Sequence, residues 1–511
     1  MTRIPAIATM ALALTLGASA PQATDAAAPQ PRRPNVIVIL ADDLGYGDTS
    51  AYGSPIARTP NIDALAADGV RFTQGYVSHP VCSPSRAGLL TGRYQTRFGW
   101  EFNPVGRDRT TGVSRNETFV AQIMKSAGYH TGMVGKWHLG EAAGYQPLDR
   151  GFDEFFGVLG GQTSYLTQMA PGDEYYNPPG MEGLLGGGAE ATEDQLMTRM
   201  RERLPISRGR EVVETKGYLT DVFTDEAVRF IDANKDRPFF LYLAYNAPHV
   251  PLQAPKKYVD RFRDVSDPGK RVYAAMVSAL DDGVGAVRAK LKAEGLEKDT
   301  LIIFLSDNGC AGYVNGACSN APLNGFKATH FEGGVRIPFI MAWPGRIHAG
   351  QVDERVVSSL DITPTAAALA GATPPNGSDG VNLIPYVAGD DRRTPNPILF
   401  WRAGPSFAVR DGNWKMWEVD KADPAAEITQ GVAPSPDGEV AKPSPFGQHV
   451  MLYDLARDIG ETRNLASSNP AVVDGLKAKA AAWDKGNVPA QLTSRRQSVQ
   501  VIDGQRLKLY N

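Results

Sequence analysis

Thiol and imidazole groups are scarce in this chain. Its 511 residues include three cysteines, Cys82, Cys310 and Cys318, and seven histidines. Three cysteines cannot build a disulfide-stapled scaffold or a four-thiolate zinc site. An excess of one charge sign is also lacking. Lys plus Arg total 53 against 56 Asp plus Glu, a net −3, so the strong basic excess of a nucleic-acid binder is absent and no nucleic-acid partner is expected. A local basic pocket for an anion remains allowed. Long apolar runs are missing as well. The run at residues 6–17 is too short to span a bilayer comfortably. With Arg3 before it and Ala18-Ser19-Ala20 after it, it reads as a signal peptide. Residues 1–28 are therefore expected to be a signal peptide and linker. The product is expected to be exported, periplasmic or secreted, with no stable membrane anchor.

The remainder is ordinary globular composition, 42% hydrophobic and 21% charged, enough for a large core. Short apolar runs recur, each ending in polar residues: "NVIVILADD" (35–43), "TGMVGKWH" (131–138), "FFLYLAYNAPH" (239–249) and "LIIFLSDN" (301–308). Continuous runs of this length read as strands buried on both faces. Helical patterns lie between them at 59–69, 114–128, 220–235 and 270–295, with Ser114 and Glu117 at capping-box spacing. The alternation predicts an α/β fold around a large, mostly parallel mixed sheet flanked by helices. Residues 33–388 read as the catalytic domain, interrupted by an irregular insertion at about 160–215, and 389–511 as a smaller C-terminal α+β subdomain. Sites in such sheets form beyond the carboxyl ends of the strands, and all four polar clusters sit there.

Asp42, Asp43, Asp307 and Asn308 are oxygen donors on two strand ends. Alone, "DD" and "DNG" also read as turn signals; together they suit Ca²⁺ or Mg²⁺ rather than zinc. Cys82 opens a helix in "CSPSR", with Ser83 or Ser85 available as a cap, Pro84 near the first turn and Arg86 one turn in. A helix N-terminus favours anions, so Cys82 beside Arg86 reads either as a nucleophile or as a small buried hydrophobe. Lys136, His138, His249 and Lys327 add cationic and titratable groups suited to clamping a tetrahedral oxyanion and moving protons. His330 is a weaker candidate for substrate contact. An exported chain tends to pair its cysteines, and Cys310 and Cys318, joined by a Gly/Asn-rich loop, are the candidate disulfide.

These blocks resemble the type I sulfatases of the alkaline phosphatase superfamily. "CSPSRAGLLTGR" is similar to their signature, in which Cys-x-Pro-x-Arg directs oxidation of the cysteine to formylglycine. "DDLGYGD", "GKWHLG", "NAPHVP", "SDNG", "GFKATHFEGGVRIP" and "LYDLARDIGETRNLA" resemble the other family blocks, in order. The resemblance implies an alkaline-phosphatase-like fold and a sulfuric ester hydrolase. It implies Asp42, Asp43, Asp307, Asn308 and modified Cys82 as calcium ligands, and Arg86, Lys136, His138, His249 and Lys327 as the active-site cations. It also implies a formylglycine-generating maturase as a partner. The expected substrate is a sulfated polysaccharide or oligosaccharide, of algal carrageenan or ulvan type or a glycosaminoglycan. The other readings are a broad aryl sulfatase, a phosphatase or phosphonate hydrolase of the same superfamily, a thiolate hydrolase using Cys82, and an exported glycan-binding protein without turnover.

Overall fold

Four of the apolar runs become four adjacent strands. In this computed structural model, strands Thr300–Ser306, Asn35–Ala41, Phe239–Ala244 and His130–Lys136 lie side by side and parallel at the centre of a ten-stranded sheet. The described residues are 1–2, 33–104, 110–178, 192–314, 316–429, 433–434, 443–492 and 496–510. The expected signal peptide and linker lie almost wholly outside them. Residues 33–511 form one compact unit.

Alternate residues of the central strand enter two different cores. Val36, Val38 and Leu40 face one apolar cluster, and Ile37, Ile39 and Ala41 face the other. Burial on both faces is why these runs are continuously apolar rather than alternating. Register then sets the site. Ala41 pairs with Ser306, Leu40 with Ala244, and Gly135 with Ala244. The strands end level, so the segments after them emerge along one edge of the sheet. Glu154–Val158 extends the parallel set, while Arg336–Ala342 and Val70–Tyr76 close the other side antiparallel, with Gln351–Ser358 at that edge.

Helices Pro60–Ala67, Leu219–Asn234 and Pro268–Ala293 lie where the periodicity places them. The helix expected over 114–128 is shorter, Val120–Ser126. Glu117 does not cap it but pairs with Arg93 at 2.7 Å, and Gln122 accepts from the Phe119 N–H instead. The insertion at 160–215 is less irregular than expected. Helix Glu193–Arg203 starts at a Thr192–Gln195 capping box, and Ile206–Arg208 adds antiparallel to the sheet edge at Glu154–Val158. C-terminal strands Ile398–Ala403, Ser406–Asp411, Trp414–Asp420 and Gln448–Asp454 form an antiparallel sheet, followed by helix Pro470–Asp484. Trp401, Trp417 and Tyr453 from that sheet belong to the same apolar cluster as Val36 and Val38. Among the described residues no helix is long and apolar enough to cross a membrane.

Candidate active site

The level strand ends bring the candidate residues into one buried cluster. Helix Cys82–Thr91 points its N-terminus at them, with Cys82 in the first position. Cys82 Sγ lies 3.5 Å from Asp42 Oδ1 and 3.7 Å from Asp43 Oδ1. Neither serine caps the helix; Val81 occupies the N-cap with no side-chain bond. Ser83 Oγ instead donates to the His138 carbonyl at 2.6 Å and accepts from Trp100 Nε1 at 2.8 Å.

Each carboxylate has a cationic partner. Lys136 Nζ lies 2.6 Å from Asp42 Oδ2. Lys327 Nζ lies 2.8 Å from both oxygens of Asp43. Arg86 donates to Asp307 Oδ2 from Nε at 2.9 Å and to the Lys136 carbonyl from Nη1 at 2.9 Å. Lys136, Arg86, Asp42 and Asp307 are all essentially inaccessible to water. Buried charges at such distances must be paired, so this cluster is self-neutralising as it stands.

The protonation states follow from burial and neighbours. Burial works to raise Asp43, yet Lys327 first, then His249 and Lys136, hold it well below the usual carboxylate range. Asp307 is pushed up to about 6, by burial and then by Asp42. Burial also pushes the Cys82 thiol up, against the pull of Lys136 and Lys327. A thiolate nucleophile needs the reverse shift, which counts against the thiolate-hydrolase reading. His138 is held neutral by burial, then by Lys136, Arg86 and Lys327. His249 is lowered to about 3, burial being the larger cause and Asp43 opposing it. Its Nδ1 donates to the Val250 carbonyl at 2.7 Å, which turns Nε2 toward Asp43 Oδ2 at 3.6 Å.

Asp42, Asp43, Cys82 and His249 each offer a ligand atom, all within 4.8 Å of one another. Asp307 stands beside this group, its Oδ1 accepting from the Asp43 N–H at 3.1 Å. Asn308 donates its Nδ2 to Asp43 Oδ1 at 2.7 Å, while its buried Oδ1 has no partner. Three buried carboxylates and an orphaned amide oxygen fit a hard cation.

Several site features were invisible in the sequence. His138 has φ 63°, an uncommon conformation for a non-glycine residue, and Asp43 likewise has φ 63°. Gly161 lies flat against the His138 ring. A Cβ there would sit 2.6 Å from Nε2, and its three nearest atoms all belong to that ring. Tyr313 donates its hydroxyl to Asp43 Oδ2 at 3.0 Å. The candidate disulfide, by contrast, was visible in the sequence: Cys310 and Cys318 are joined, with Cα atoms 6.0 Å apart. His330 is fully buried; its ring contacts are Trp417 at 5.7 Å and His79 at 6.4 Å, and both its nitrogens lack partners. It faces the C-terminal sheet, one turn of chain away from Lys327.

The chain is similar to known proteins over most of its length. The family model for Sulfatase matches residues 34–372. The chain is 35% identical to N-acetylgalactosamine-6-sulfatase of Mus musculus, over 92% of this chain and 89% of that protein. It is 34% identical to arylsulfatase A of Homo sapiens, over 87% of each. The crystal structure of Ps i-CgsB in complex with k-i-k-neocarrahexaose superposes with a TM-score of 0.75 at 33% identity, covering 90% of this chain and 95% of that one.

Proposed function

The chain belongs to the sulfatase family of sulfuric ester hydrolases, and on that footing we propose that it is an exported enzyme releasing sulfate from a sulfated polysaccharide or its oligosaccharides, of carrageenan, ulvan or glycosaminoglycan type. N-acetylgalactosamine-6-sulfatase and the neocarrahexaose complex among its relatives support a carbohydrate substrate. The observation that carries the reading is the placement of Cys82: a buried thiol at a helix N-terminus, against two carboxylates, with two lysines, an arginine and two neutral histidines around it. Sulfur is a poor partner for a hard cation. Conversion to formylglycine by a maturase would remove that mismatch and would supply at position 82 an oxygen nucleophile that takes the sulfuryl group from the departing alcohol and then releases it as sulfate. A calcium ion on Asp42, Asp43, Asp307 and Asn308 would supply positive charge beside the sulfate oxygens.

The protein's own residues divide the remaining work. Lys136 and Lys327 lie on either side of Cys82's carboxylate neighbours, where they hold the sulfate charge, and Arg86 fixes Asp307 and the Lys136 backbone. Lys327 is a protonated ammonium, since Asp43 raises it against the effect of burial. His249 is neutral. The proton for the departing alcohol is therefore assigned to Lys327, with His249 orienting the ester. His138, neutral with its Nδ1 unpartnered, is placed to take a proton when sulfate leaves. The net reaction adds water across the ester, yielding the free alcohol and sulfate.

Turnover of aryl sulfate against aryl phosphate, followed by a desulfation screen of defined carrageenan, ulvan and glycosaminoglycan oligosaccharides, tests this function. Sulfate release from at least one glycan, with aryl phosphate much slower, is expected. Faster phosphate turnover would overturn the sulfatase chemistry, and activity confined to small aryl sulfates would overturn the polysaccharide assignment.

A further inference from the structure

Asp43 has a partner that none of the strand-end motifs contains. Tyr313 Oη donates to Asp43 Oδ2 at 3.0 Å, and Lys327 Nζ, bound to the same carboxylate, lies 3.5 Å from that hydroxyl. The ammonium also lies 5.8 Å from the centre of the tyrosine ring. The phenol therefore touches the two residues on which the proposed function places cation binding and proton donation.

Tyr313 reaches this point from a loop held by its own fastenings. The Cys310–Cys318 disulfide closes it. The Cys310 N–H donates to Asn320 Oδ1 at 3.0 Å, and the Cys310 carbonyl accepts from the Lys327 N–H at 2.9 Å. Gly312 lies under the Phe326 ring, where a Cβ would come within 2.8 Å. Beyond the second cysteine, the Ser319 N–H donates to buried Asp48 at 2.8 Å. The Lys327 backbone and the Tyr313 loop are thus tied to each other directly, so the hydroxyl and the ammonium keep their relative placement.

We propose that Tyr313, presented by the disulfide-closed loop 310–318, is a positioning residue that holds the Asp43 carboxylate and sets the aim of Lys327. The physical reason is a difference in charge. Asp43 is held here by the Lys327 ammonium and by two neutral donors, the Tyr313 phenol and the Asn308 amide. A divalent cation on Asp43 repels the ammonium but not the phenol. The hydroxyl can stay as the partner of Asp43 while Lys327 turns to an anionic substrate. Hydrogen-bond partners of metal-binding groups orient the ligand, and their removal typically costs about 10–100-fold in affinity or activity. This role rests on the proposed function.

The test is Tyr313→Phe, which keeps the ring and removes the hydroxyl. Three measurements are made on the full chain: calcium titration by calorimetry, turnover of an aryl sulfate and thermal melting. Calcium binding and kcat/KM are both expected to fall about 10–100-fold, with a melting temperature within about 2 °C of wild type. A merely structural role would not weaken calcium binding at unchanged thermal stability. Loosening the loop with Cys310→Ser plus Cys318→Ser is expected to cost activity in the same direction. Adding Tyr313→Phe to it is expected to cost little more, because both changes remove one interaction. Calcium affinity and turnover within about twofold of wild type in Tyr313→Phe, or fully additive losses in the combined variant, would overturn the role of Tyr313. A wild-type protein without sulfate-ester hydrolysis would overturn the proposed function, and this role with it.

Discussion

Gly161→Ala perturbs His138 and almost nothing else. The backbone at Gly161 lies outside the left-handed region, so alanine is conformationally acceptable there. A Cβ would stand 2.6 Å from His138 Nε2, 2.7 Å from Cε1 and 3.1 Å from Cδ2. Ordinary contact begins at 3.4 Å, so the ring must retreat by about 0.8 Å. Its freedom to do so is limited. The His138 N–H is bound to the Leu159 carbonyl at 3.0 Å, its carbonyl to Ser83 Oγ at 2.6 Å, and its φ is already 63°. A displacement approaching 1 Å in a catalytic group costs about 100-fold in rate, or about 2.7 kcal/mol of transition-state stabilisation. Steady-state hydrolysis of an aryl sulfate reads the effect. A fall of about 100-fold in kcat is expected, with KM little changed, because the role proposed for His138 is to take a proton and not to hold the sulfate charge. Gly160→Ala is the control, since a Cβ there meets the mobile ends of Leu204 and Glu141 rather than His138. If Gly161→Ala keeps kcat within about threefold of wild type, His138 does not act where it stands and the reasoning fails.

Three further outcomes are expected. Cation affinity falls as pH drops below about 6, because Asp307, raised to about 6 by burial and by Asp42, takes up a proton that competes with the metal; a calcium Kd unchanged between about pH 7 and 5 would contradict this. Ser83→Ala leaves Trp100 Nε1 without an acceptor and the His138 carbonyl without a donor, costing about 1–3 kcal/mol of stability together with a lowered kcat; chemical denaturation and turnover check both. Lys415 Nζ, buried 2.8 Å from Glu332 and 3.2 Å from Glu461, cannot be replaced by methionine without stranding acidic groups, and Lys415→Met is expected to lose about 3 kcal/mol in a denaturant titration.

The parallel centre of the fold was readable because its strands are buried on both faces, which forces unbroken apolar runs such as "NVIVILA". The clustering of Asp42, Asp43, Lys136, Asp307 and Asn308 was readable because they follow the ends of those runs, and the resemblance to a known family's blocks is what suggests their roles. Features made by tertiary approach were not readable. Gly161 is one glycine among 53, and only the His138 ring beside it shows its significance. Ser83 looked like a helix cap but serves the backbone of His138, because Val81 takes the cap position and Trp100 fills the other side of the hydroxyl. The start of helix Val120–Ser126 was misplaced because Arg93, distant in sequence, claims Glu117. Tyr313 carries no motif at all; its meaning lies in where a closed loop puts its hydroxyl. The burial of His330, a weaker candidate for substrate contact, beside Trp417 of the C-terminal sheet was not readable either.

The most direct test of the proposed chemistry is the covalent state of residue 82 in active protein. The peptide carrying residues 82–86 is analysed by mass spectrometry, with a carbonyl-trapping reagent, on enzyme whose sulfate-ester turnover has been measured. Formylglycine at position 82, in a fraction that tracks specific activity across preparations, is the expected result. An intact Cys82 thiol throughout a fully active preparation would contradict it.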